Sequence, residues 1–90
     1  MPNYLVETFL GRVDADHRGA REAATRDAID ALRRDGSPIR CMAAIYVPDD
    51  EICLYTFDAP TLDDVQEVAD RAGLLVLRIV EAMPSLDGIR

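Results

Sequence analysis

Two helix-stop signals, Gly36 with Pro38 behind it and Gly73, each separate an amphipathic segment from an apolar run. That double punctuation constrains the fold more than any other feature. Tyr4 to Leu10, rich in aromatic and aliphatic residues, reads as a strand. From Ala15 to Asp35 the residues turn to Ala, Arg, Glu and Asp, with Ala20, Ala24, Ala28, Ile29, Ala31 and Leu32 forming a stripe of helical period. Pairs such as Glu22–Arg26 and Arg26–Asp30, four residues apart, fall on the solvated side of that helix. Pro38 to Val47 and Glu51 to Phe57 flank Pro48-Asp49-Asp50, the pattern of a hairpin. Thr61 and Asp64 then make a capping-box start for a helix with Leu62, Val65, Val68, Ala69 and Ala72 on one face. Leu74 to Met83 is the last strand.

The order βαββαβ defines an α+β, ferredoxin-like domain. Right-handed crossovers make it a four-stranded antiparallel sheet of order 4-1-3-2, with both helices on one face. A chain of 90 residues holds one such domain, residues 1–83, with 84–90 as a C-terminal tail.

Composition narrows the function. The net charge is -7, and all ten cations are arginines. An acidic surface repels phosphate backbones, which argues against a nucleic-acid partner. No apolar stretch approaches the ~20 residues of a membrane span, and the N-terminus lacks a signal-peptide pattern. The expected location is the cytoplasm.

Alternation along the strands divides the sheet faces. With Val47 paired to Ile52, the residues Ile39, Cys41, Ala43, Ile45, Ile52, Leu54, Leu75, Leu77 and Ile79 are expected to face the helices. Leu5, Glu7, Phe9, Arg40, Met42, Ala44, Tyr46, Cys53, Tyr55, Phe57, Val76, Arg78 and Val80 are expected on the far face. So apolar a face calls for a cover, and a second copy of the chain, giving a homodimer, is the simplest one. Glu7, Arg40 and Arg78 are charges within apolar strands. Together with Tyr46 and Tyr55 they are the candidate lining of a ligand pocket at the dimer interface, with Arg78 beside Glu7 across adjacent strands. An interface salt bridge of purely structural meaning is the competing reading.

Cys41 and Cys53 are expected on opposite faces, on the order of 17 Å apart, which forbids a disulfide and suits a reducing compartment. The single histidine lies in Asp14-Ala15-Asp16-His17, a carboxylate–imidazole patch that suits nickel or zinc in donor type. The same residues also suit the acidic first turn of a helix.

Tyr4-Leu5-Val6-Glu7, Val47-Pro48-Asp49-Asp50-Glu51, Phe57-Asp58-Ala59-Pro60-Thr61, Arg71-Ala72-Gly73-Leu74 and Arg78-Ile79-Val80-Glu81-Ala82 together resemble the nickel-binding-protein-like family, a domain of unknown function. The resemblance implies a ferredoxin-like protein dimeric through its sheets, as an αβ-barrel-like assembly. It also implies nickel as a cofactor, for which His17, Asp14 and Asp16 are the available ligands. The function expected is binding of a metal ion or small ligand. Fold analogy offers a small dimeric αβ-barrel enzyme, monooxygenase- or isomerase-like, and a purely structural interaction module is the third alternative.

Overall fold

The computed structural model describes residues 1–83, so the proposed tail 84–90 lies outside the described residues. The elements run β1 (Asn3–Phe9), a 3₁₀ segment (Arg12–His17), α1 (Arg18–Arg34), β2 (Arg40–Val47), a 3₁₀ turn (Pro48–Asp50), β3 (Ile52–Asp58), α2 (Leu62–Ala72) and β4 (Val76–Ala82). The strands form one antiparallel sheet in the order β2-β3-β1-β4, which is the ferredoxin-like α+β topology.

Local chemistry sets the helix ends. The Thr61 hydroxyl accepts from the Asp64 amide at 3.3 Å and opens α2. Gly73, at φ 68°, closes it: its amide donates to Asp70 and that of Leu74 to Ala69, a Schellman stop. The first helix begins later than its composition predicts, because Arg12–His17 winds as a 3₁₀ segment. Its buried stripe is Thr25, Ala28, Ile29 and Leu32, whereas Ala20 is exposed.

The two faces of the sheet only partly follow the expected alternation. On β1, Tyr4, Val6 and Thr8 are buried and Leu5, Glu7 and Phe9 look away from the helices, as expected. The Val47–Ile52 register also holds. The side assigned to β3 is reversed. Phe57, Tyr55 and Cys53 pair with Tyr4, Val6 and Thr8, and all three lie in the core at 1–2% exposure. Cross-strand partners share a face, so β1 dictates the side of β3. The rings of Tyr55 and Phe57 carry more apolar area than Ile52 or Leu54 and fill the space beneath the helices.

Two bulges break the count on the other strands. Between Cys41 and Ala43 on β2 the register shifts, so Cys41 opposes Phe57 while Ala44 and Tyr46 oppose Tyr55 and Cys53. All three therefore share the helix side, and Ala43 and Ile45 turn away. On β4 a shift opposite Glu7/Thr8 brings Val76 and Ile79 inward, leaving Leu75 and Leu77 exposed. The two free cysteines thus lie on the same side of the sheet, correcting the expectation of opposite faces.

The core joins Val6, Leu10, Tyr55 and Phe57 of the sheet layer to Ile29, Leu32, Val65 and Val68 of the helices. Among the described residues the opposite face carries no helix. It presents Leu5, Phe9, Ile45, Leu54, Leu77 and Val80, with Ile45 at 56% and Leu77 at 57% exposure.

Candidate functional site

The five residues expected to line one pocket are divided by the sheet. Glu7 and Arg78 meet on the helix-free face, where the Arg78 Nε and Nη2 donate to Glu7 Oε2 and Oε1 at 2.9 and 3.2 Å. Tyr46 and Tyr55 lie on the helix side. The Tyr46 hydroxyl donates to Leu10 O at 3.3 Å, and the Arg18 guanidinium carbon sits 5.5 Å from its ring centroid. Arg40, at the start of β2, donates through Nε and Nη2 to Asp58 Oδ2 at 3.1 and 3.0 Å. The far face expected to drive dimerisation loses most of its aromatic residues for the same reason: Tyr55 and Phe57 are core and Tyr46 lies on the helix side, while Phe9 and Met42 stay exposed.

A different concavity does form, between α1 and the edge strand β2. It is an open groove of about 520 Å³ lined by Glu22, Thr25, Arg26, Ile29, Arg33, Arg40, Cys41, Ala44 and Tyr55. It exists because α1 does not cover the outer strand. Ala44 points to the helix side yet stays exposed, and its single methyl leaves open the space a larger side chain would fill. Tyr55 forms the floor. Burial pushes its phenol well up from 10.0, and the neighbouring Cys53 thiol adds to that. Burial likewise raises the Cys41 thiol above 9.0, although its contact with Ala43 O at 3.5 Å pulls the other way. Both groups are neutral at physiological pH. The groove therefore has a largely apolar bed of Ile29, Ala44 and Tyr55 bordered by three guanidiniums and the Glu22 carboxylate.

Arg26 and Arg33 belong to this site and were not legible as such. Their charges fit a solvated helix face equally well. The signal that could have found them is their spacing of seven residues, which places both on the edge of the stripe that Thr25 and Ile29 bury.

The nickel candidates do not converge. His17 Nδ1 lies 3.7 Å from Asp14 Oδ1, with the two side chains 72% and 45% exposed. Among the described residues no group of three His, Cys, Asp or Glu side chains is placed to hold a metal ion. The residues present do not fit a nickel site. The 3₁₀ winding explains this: residues three apart eclipse, so Asp14 and His17 share one side of the turn while Asp16 is rotated away from both.

The βαββαβ sheet with two helices on one face places the chain in the ferredoxin-like α+β class. No family model matches it. No curated protein matches it either. Among solved structures it is similar to SCO4226 of Streptomyces coelicolor A3(2), known from a crystal structure. The TM-score is 0.73 at 19% identity, with 93% of this chain and 99% of that one covered. At that identity the likeness speaks for the fold. No helix among the described residues is long and apolar enough to cross a membrane.

Proposed function

We propose that the protein is a small-molecule-binding protein that works as a homodimer, with its ligand site in the groove between α1 and β2. The groove carries this reading. Its volume of about 520 Å³ falls in the range of ~300–1,000 Å³ usual for small-ligand sites. Its walls combine apolar surface with a few polar groups, the pattern that orients a ligand without demanding catalysis. The helix-free face supports the dimer: Leu5, Ile45, Leu54, Leu77 and Val80 form an apolar sheet surface that association would cover. The free thiols of Cys41 and Cys53 suit a reducing, cytoplasmic setting.

Native mass spectrometry of untagged protein tests both halves. The expected species has twice the 10.0 kDa chain mass and retains a small organic molecule that acid releases. An Ala44→Trp variant, whose indole fills the groove, should dimerise without retaining it. Retention undiminished in that variant would remove the ligand from this groove, and a bare monomer at micromolar concentration would remove the dimer.

A further inference from the structure

We propose that the groove between α1 and β2 selects a small monocarboxylate with an apolar body, its carboxylate held by Arg26. This rests on the ligand-binding reading above and narrows it to a chemical class.

Three guanidiniums border the groove, and two are engaged. Arg33 Nη1 donates to Pro38 O and Ile39 O at 3.3 and 2.9 Å. Arg40 is paired with Asp58 at 3.0 Å. Among the described residues Arg26 makes no side-chain hydrogen bond or ion pair, although the groove walls include it. The one carboxylate of the lining, Glu22, lies 3.9 Å from Arg18 Nε and so has its own cation.

The groove lining thus holds three arginines to one carboxylate, a local positive excess on a chain whose net charge is -7. Elsewhere the acidic surface repels an anion, so the local field directs it to this rim. A single unengaged guanidinium offers one planar fork, which matches one carboxylate bidentately. A second anionic group on the ligand would find only arginines already bonded. Below the rim, Ile29, Ala44 and the Tyr55 ring provide an apolar bed. The Cys41 thiol, held protonated by burial, adds no competing negative charge. An apolar body lying on Tyr55 with its carboxylate toward Arg26 satisfies both halves of the site.

The test is an amide NMR titration of the isotope-labelled protein with 2-naphthoate and its uncharged isostere 2-naphthamide. Naphthoate should shift the amides of Thr25, Arg26, Ile29, Cys41 and Ala44, and bind about tenfold more tightly than the amide, as one charge-assisted bidentate contact allows. Arg26→Gln should erase that preference while amide binding survives. Arg34→Gln, which removes the same charge from an exposed position of α1, should keep it. Equal binding of the two compounds, or a preference surviving in Arg26→Gln, overturns the carboxylate assignment but leaves the groove as a ligand site. Shifts confined to the helix-free face, or none with either compound, overturn the groove itself.

Discussion

Glu7 and Arg78 stand directly opposite one another on β1 and β4 and form a two-point ion pair, with donor–acceptor distances of 2.9 and 3.2 Å, on the helix-free face of the sheet among Leu5, Leu54 and Val80. Leu54 pairs with Glu7 on its other side, and Leu5 with Val80 one step along. A pair so placed is solvated in the single chain, where the Arg78 side chain is 58% exposed. Association would desolvate it, and its energetic coupling would grow because water no longer screens it.

The first prediction uses that growth. A double-mutant cycle of Glu7→Gln and Arg78→Met should give a larger coupling in the dimer than in a monomeric background. The coupling in the monomer should fall with added salt. Equal coupling in both backgrounds would place the pair at the rim of any interface and outside its centre.

The monomeric background is the second prediction. Ile45→Lys puts a charge at the centre of β2 on the helix-free face, at a position 56% exposed in the single chain. The fold should persist, because nothing in the core is touched, whereas the dimer should dissociate. Light scattering is expected to show the mass halving to near 10.0 kDa with an unchanged circular dichroism spectrum. Leu77→Lys, on the outer strand β4 of the same face, should act alike. A dimer surviving both changes would move the contact to another surface.

How much of this was legible in the sequence differs by level. The elements and their order follow from punctuation: Gly36, Pro38, Thr61 and Gly73 each carry a local backbone reason for a boundary. The Glu7–Arg78 contact was legible as well, because strand order alone makes β1 and β4 neighbours. The side of β3 was not. Ile52, Leu54, Cys53 and Tyr55 alternate without a polar face to break the tie, and only pairing with Thr8, Val6 and Tyr4 decides it. The bulges at Met42 and beside Arg78 carry no Gly or Pro to announce them. The groove depends on both hidden facts, since Cys41, Ala44 and Tyr55 share its wall only after β3 is turned and β2 is bulged.

The third prediction concerns nickel. With His17 and Asp14 exposed and 3.7 Å apart, and no third ligand placed beside them among the described residues, calorimetric titration should show no saturable nickel binding that His17→Ala abolishes. Stoichiometric binding lost in that variant would mean that the first turn after β1 rearranges around the metal, or that a second copy completes the site.

The last prediction is alkaline. The chain has no lysine, so above pH 9 the titrating side chains are its cysteines and tyrosines, arginine remaining charged. Burial raises Cys41 and Cys53 above 9.0 and Tyr55 above 10.0 in the folded protein. In the unfolded chain the same groups lose their protons near those ordinary values. Above pH 9 the folded state therefore binds more protons than the unfolded one, and stability falls as pH rises. Each group held protonated one unit past its unfolded value costs about 1.4 kcal/mol, so urea midpoints should hold steady from pH 7 to 8.5 and drop progressively from pH 9 to 11. Tyr55→Phe removes the phenol that burial keeps neutral. It should lower stability at pH 7 only modestly, since the ring still fills the core beside Phe57, and should flatten the decline above pH 10. A decline equally steep in the variant would assign it to the thiols, which a Cys41→Ala, Cys53→Ala pair would then relieve. A flat profile in the wild type would mean that these groups reach water in the folded protein, and that the floor of the groove is open rather than sealed by the Tyr55 ring.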